Sequence, residues 1–172
     1  MSVPDAPSSY YFSLGRMICR AAEAEHMMEA LLLDLEPAHD PAKVRGLPAG
    51  KTRERVLAKA DQWPGQRGQI LDVVEIMETT SKVRNWLVHA WVLTSPTGDW
   101  VELQKSERDA AHWGRRRITY PEVDQVAARF AWVMRAVTRL VNERDWEVQG
   151  DSAFFADPLL PPAPMPEWVA LT

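Results

Sequence analysis

The chain has 172 residues, 46% of them hydrophobic, and a formal net charge of −4, which is enough apolar material for one full core and fits one domain with a tail. Its single cysteine, Cys19, excludes an internal disulfide framework, and no His or Cys cluster has zinc-site spacing. The negative net charge argues against broad affinity for nucleic acid, which comes mainly from neutralising phosphates, so any such contact must be local.

Residues 1–10 contain Pro4, Pro7, Ser8 and Ser9 and read as a mobile lead-in, with Ser8 or Ser9 able to cap the helix that follows. Arg16, Arg20, Glu23, Glu25 and Glu29 leave neither the apolar core of a signal peptide nor a membrane span in the first thirty residues. A reducing cytoplasm is therefore the expected compartment, with no membrane partner. The spacing predicts a long helix over 11–35, its buried stripe formed by Leu14, Met17, Ile18, Ala21, Met28, Leu31, Leu32 and Leu35. One charge, Glu25, breaks that stripe.

Pro37, Pro41, Gly46, Pro48 and Gly50 make 36–50 a loop, and a shorter helix over 52–62 is stopped by Pro64-Gly65. A second long helix is expected over 66–88, with Ile70, Val73, Val74, Met77, Leu87 and Val88 facing inward. Arg84 falls inside this apolar arc.

Beyond it, Trp91-Val92-Leu93 and Trp100-Val101-Glu102-Leu103 flank the turn sequence Ser95-Pro96-Thr97-Gly98-Asp99, which predicts a β-hairpin at about 90–105. Arg117-Ile118-Thr119 suggests a third short strand. The run Arg115-Arg116-Arg117, with Lys105, is either a local contact for a nucleic-acid strand or the solvated charge of an edge strand. The eight tryptophans read as packing rather than base stacking, since Trp86, Trp91 and Trp100 crowd around the hairpin.

Thr119-Tyr120-Pro121-Glu122 has the spacing of a capping box and opens a last long helix that runs to about 142. Its stripe is Val123, Val126, Ala127, Phe130, Met134, Val137, Leu140 and Val141, with Glu122, Asp124, Arg129, Arg135 and Arg139 outside it. Trp132 lies opposite the stripe and needs a cover, either the tail or a second subunit. The tail, 147–172, is rich in proline yet carries Phe154, Phe155, Leu159, Leu160 and Trp168, and is expected to strap onto the helices.

One segment carries chemistry: Arg84-Asn85-Trp86-Leu87-Val88-His89-Ala90. Arginine presents a charged fork that matches a phosphate, and histidine can give or take a proton near neutral pH. Spacing alone does not single it out, because Arg20 and His26 satisfy it too. On one straight helix Asn85, His89 and Glu78 share a face, while Arg84 and His89 stand about 140° apart. Either the helix ends near Val88 so that His89 turns, or two protomers share a cleft. An arginine in an apolar arc also needs a carboxylate, which predicts an ion pair with Glu25. The structural reading of His89 is a helix-end residue that bonds terminal carbonyls.

The heptad resembles the R-x(4-6)-H motif of the HEPN superfamily, small helical proteins that include many bacterial ribonucleases, in which the residue after the arginine is commonly polar and here is Asn85. The resemblance covers about 11–146 and implies a HEPN-like helical bundle, so that with the elements read above the chain is expected to be mainly α, a HEPN-like bundle with an inserted β-hairpin and a Pro-rich C-terminal tail. It further implies a homodimer whose cleft cuts RNA without a metal or other cofactor, with Arg84, Asn85 and His89 as the site. His89 would shuttle protons, Arg84 would stabilise the phosphorane, Asn85 would orient His89 or a phosphate oxygen, and the hairpin with Arg115 to Arg117 would guide the strand. A toxin or antiphage nuclease, with a neutralising protein as partner, is the implied setting. The long hairpin and aromatic tail depart from compact toxin-like members. Two other readings stand beside it: a non-catalytic HEPN-like dimerisation or interaction module, and a small-molecule sensor with a deep tryptophan-lined pocket.

Overall fold

The computed structural model describes residues 8–38, 40–92, 100–105, 114–149 and 161–166. Its elements are α1 (Ser8–Leu35), α2 (Pro41–Val44), α3 (Ala49–Lys59) with a 3-10 turn over Ala60–Gln62, α4 (Arg67–His89), β1 (Trp91–Val92), β2 (Trp100–Lys105), β3 (Gly114–Thr119) and α5 (Tyr120–Gln149). The fold is mainly α, as expected, with a small antiparallel sheet inserted between the last two long helices.

The long helices form because each buries an apolar stripe at helical spacing. In α1 the stripe is Tyr10, Met17, Ala21, Ala24, Met28, Leu31, Leu32 and Leu35, all under 3% exposed. Helix α1 therefore starts inside the expected lead-in, because Tyr10 is drawn into the core. Ile18 is 41% exposed, contrary to expectation; Met17 and Ala21 take the inward positions and turn Ile18 to the flank. Val88 of α4 is likewise exposed rather than inward, at 39%, being about 100° from the fully buried Leu87.

Helix α5 is the centre of the bundle, sharing its largest interface with α1 and the next with α4. Packed on two sides, it buries Val133 and Ala136 as well as the expected stripe except Met134 and Val141, which are partly buried, and Trp132 is covered to 9% exposure. The Glu122 half of the predicted capping box forms at its start: Thr119 N–H donates to Glu122 Oε2 at 2.6 Å, and the Thr119 hydroxyl donates to the same oxygen at 2.7 Å. An ion pair from Arg16 to Asp124 ties α1 to α5.

The expected loop over 36–50 contains the one-turn helix α2, whose first amide, Ala42 N–H, is capped by Asp40 Oδ1 at 3.0 Å, with Pro41 at the position where a missing N–H costs nothing. Gly46 leaves that turn at φ +84°, a backbone open to glycine at little cost. Glu36, at the end of α1, is 7% exposed; Arg55 of α3 pairs with it and Lys59 Nζ lies 3.8 Å from Oε1.

The sheet order is β1-β2-β3, both pairs antiparallel. The third strand is longer than the three residues expected, pairing from Trp100↔Thr119 to Lys105↔Gly114. Val101, Leu103 and Ile118 are fully buried, so one sheet face closes the core against the helices. The turn at 95–99, His39, His112 and the tail anchors Phe154, Phe155, Leu159, Leu160 and Trp168 lie outside the described residues. Of the tail, 161–166 is seated on the bundle: Pro166 is buried and Met165 packs against the core. Among the described residues no helix is long and apolar enough to cross a membrane.

Candidate functional site

The heptad ends α4. The helix runs through His89, and Ala90 leaves it in an extended conformation at φ −81°, ψ 147°. His89 is thus the last helical residue and does not turn back toward Arg84. On a continuous helix the two side chains leave about 140° apart.

Arg84 points toward α1. Its Nη2 donates to Glu25 Oε1 at 2.7 Å, with the two side chains 25% and 32% exposed. This is the ion pair that the charge within each apolar stripe predicts. It also orients the guanidinium, whose Nε is buried with no hydrogen-bond partner among the described residues.

Asn85 and His89 are exposed on another face, in line with Glu78 and Lys82. Lys82 Nζ lies 2.8 Å from Glu78 Oε1. The hydrogen bond and charge of Lys82, with Arg53 adding to them, hold the Glu78 carboxyl below its ordinary range. Glu78 is therefore engaged by Lys82, and His89 keeps Asn85 as its neighbour one turn back. The chain consequently presents a guanidinium fixed by α1 and, separately, an exposed imidazole and amide at the helix end. The two halves do not converge on one phosphate within a single chain.

No protein-family model matches this chain, and no curated protein or solved structure is significantly similar to it.

Arg129 was expected outside the α5 stripe and is instead 8% exposed. Its Nε donates to Thr80 Oγ1 at 3.2 Å and its Nη1 to the Ala163 carbonyl at 2.6 Å, so it clips the tail to α4 and α5. Burial pulls its pKa below the usual value. Periodicity could have found it, since Val126, Arg129, Val133, Ala136 and Leu140 keep the three-and-four spacing. Of the basic run, Arg117 is exposed and Arg116 half-buried, while the side chains of Arg115 and Lys105 lie outside the described residues. Arg20 pairs with Glu23 on the surface, and the exposed His26 has its Nδ1 3.8 Å from Glu29 Oε2.

A cleft of about 330 Å³ lies between α4 and α5, lined by Gln69, Asp72, Val73, Trp132, Ala136 and Arg139. It sits toward the start of α4, away from the heptad at the helix end. Its mixed polar lining and single tryptophan differ from the deep aromatic pocket expected of a small-molecule sensor.

Proposed function

We propose that this chain is a metal-independent, HEPN-like endoribonuclease that acts as a homodimer, in the setting of a toxin or an antiphage defence protein checked by a neutralising partner. The observation that carries the reading is the division of the heptad: Arg84 is oriented by Glu25, while Asn85 and His89 stand exposed at the end of α4.

A second copy supplies the convergence that one helix lacks. Tyr11, Phe12 and Ile18 of α1 are 53%, 70% and 41% exposed, and Val88 of α4 adds a further apolar side chain one turn beyond Arg84. Tyr11, Gly15, Ile18, Ala22 and Glu25 follow three-and-four spacing, so this apolar strip leads along α1 to the Arg84 ion pair. These exposed apolar side chains are available to a second copy. Across a two-fold axis each protomer contributes the same residues to the shared cleft.

In such a cleft the RNA 2′-hydroxyl attacks the adjacent phosphorus, and the His89 of one protomer takes the hydroxyl proton and returns a proton to the departing 5′-oxygen. Arg84 stabilises the charge on the equatorial oxygens of the phosphorane. Glu25 holds the guanidinium in register, and Asn85 orients His89 or a phosphate oxygen. The products are a 2′,3′-cyclic phosphate and a free 5′-hydroxyl.

The same ion pair favours a second reading, a non-catalytic HEPN-like dimerisation module in which Arg84 serves only to tie α4 to α1. Cleavage of a mixed RNA pool in excess EDTA, with cyclic phosphate ends on the products, separates the two. The first reading requires cutting and the second requires none.

A further inference from the structure

The two faces of the sheet differ in character. Val101, Leu103 and Ile118 face the core, so strand alternation puts Trp100, Glu102 and Gln104 on the outer face, with Arg117 and Thr119 beside them. There the Arg117 guanidinium lies over the Trp100 ring, 3.9 Å from its centroid. Arg117 is exposed and Trp100 is half-exposed.

An edge strand such as β3 gains protection from pairing with other chains by carrying charge alone. That role does not call for a large aromatic ring on the solvent face of the neighbouring strand, nor for the cation to be placed over it. An aromatic ring capped by an exposed guanidinium is a preassembled stack: unpaired bases stack on aromatic faces and on arginine planes, and the charge attracts phosphate. The local cation also stands out on a chain of net charge −4.

The sheet's connection adds to this. Only Ala90 separates His89 from β1, and β1 pairs with β2 through Trp91↔Gln104 and Val92↔Leu103. Trp100 lies four residues along β2 from Gln104, the partner of Trp91, roughly 13 Å at the rise of a strand. That separation spans a few nucleotides at most.

We infer that the outer face of β2 and β3 binds unpaired RNA by stacking a base on the Trp100–Arg117 pair. The choice of RNA as occupant rests on the ribonuclease reading. Glu102 is the register partner of Arg117, and its carboxylate opposes an incoming phosphate.

The test uses full-length His89→Ala protein, which lacks the proton-transfer group and keeps the sheet intact. It is titrated into labelled oligo(U), oligo(A) and a short RNA duplex, with fluorescence anisotropy as the readout and circular dichroism as the check on folding. The single strands are expected to bind more tightly than the duplex. Trp100→Ala and Arg117→Gln should each weaken binding on the order of tenfold, and Trp100→Phe should restore most of it. Arg117→Gln should also reduce the salt dependence by roughly 0.7 in log–log slope, one phosphate contact's worth, whereas Glu102→Gln should tighten binding. Arg117 is exposed, so its variant stays informative if Trp100→Ala fails to fold.

Unchanged affinity in Arg117→Gln and Trp100→Phe/Arg117→Gln proteins, or a preference for duplex, would overturn the inference. RNA binding that depends on Trp100 and Arg117, in a protein whose wild-type form cuts nothing, would keep the platform and remove the nuclease reading. Cleavage by a wild-type protein whose RNA affinity ignores both residues would do the reverse.

Discussion

Arg84 Nη2 donates to Glu25 Oε1 at 2.7 Å across 59 residues of sequence, joining α4 to α1 one residue before Asn85 turns to solvent. Both side chains are partly exposed, so the pair contributes modestly to stability. A double-mutant cycle on Glu25→Gln and Arg84→Met is expected to give a coupling of about 1 kcal/mol by urea denaturation. If Glu25 also positions the guanidinium, Glu25→Gln should lower RNA cleavage by more than its stability loss explains, with kcat affected more than KM. Equal activity in folded Glu25→Gln protein would leave the pair a purely structural one.

Because Arg84 and His89 diverge on one helix, the proposed dimer cleft takes Arg84 from one protomer and His89 from the other. Mixing inactive Arg84→Ala and His89→Ala proteins should then restore activity. Half of the randomly reassorted dimers are heterodimers, each with one intact site of two, so about a quarter of wild-type activity should return. No recovery, with subunit exchange demonstrated by mass spectrometry, would place both residues' work within one protomer.

Tyr10 gives a stability prediction at high pH. Burial, with the charge of Tyr11 adding, pushes its hydroxyl up to about 12, whereas an unfolded tyrosine ionises near 10. Between those values the unfolded chain has lost a proton that the native chain keeps, so stability falls as pH rises from about 10 to about 12. Below pH 10 this contribution is fully present. Tyr10→Phe should flatten that part of the urea-midpoint profile, and an unchanged slope would show that Tyr10 does not titrate as its burial implies.

Arg129 holds the tail through the Ala163 carbonyl and α4 through Thr80. Arg129→Met should orphan both oxygens, at about 1–3 kcal/mol, and raise deuterium uptake over 161–166 well before that over the core of α5. Arg129→Lys should fall between the two, because a single ammonium cannot span both acceptors as the guanidinium fork does. Uptake in the tail segment identical to wild type would mean that Met165 and Pro166 anchor it without the arginine.

The three long helices and the antiparallel sheet were legible because their stripes and turn residues repeat at the right periods, and the Glu25–Arg84 pair because each residue is the charge that interrupts an apolar arc. Ile18 and Val88 were misplaced because each lies beside a residue, Met17 or Leu87, that takes the inward position; periodicity leaves the edge of a stripe undetermined. Helix α2 was missed although Asp40-Pro41 is a cap followed by a first-turn proline, a signal too short to register by period. The burial of Glu36 depends on which helices flank it, which spacing does not state, whereas Arg129 was missed although it keeps the three-and-four spacing of Val126, Val133, Ala136 and Leu140, because its charge placed it outside the stripe. At the site, Asn85 and His89 were correctly placed on one face, but the direction taken by His89 turned on whether α4 ended one residue sooner.

The most direct measurement is cleavage of a mixed RNA pool by purified wild-type protein in excess EDTA, beside His89→Ala protein shown by circular dichroism to be folded. The ribonuclease reading expects wild-type protein to leave cyclic phosphate and 5′-hydroxyl ends, and the variant to lose at least about a hundredfold in rate, the scale of a positioned acid–base group. Equal inactivity of both proteins, or cutting that survives in the folded variant, would contradict it.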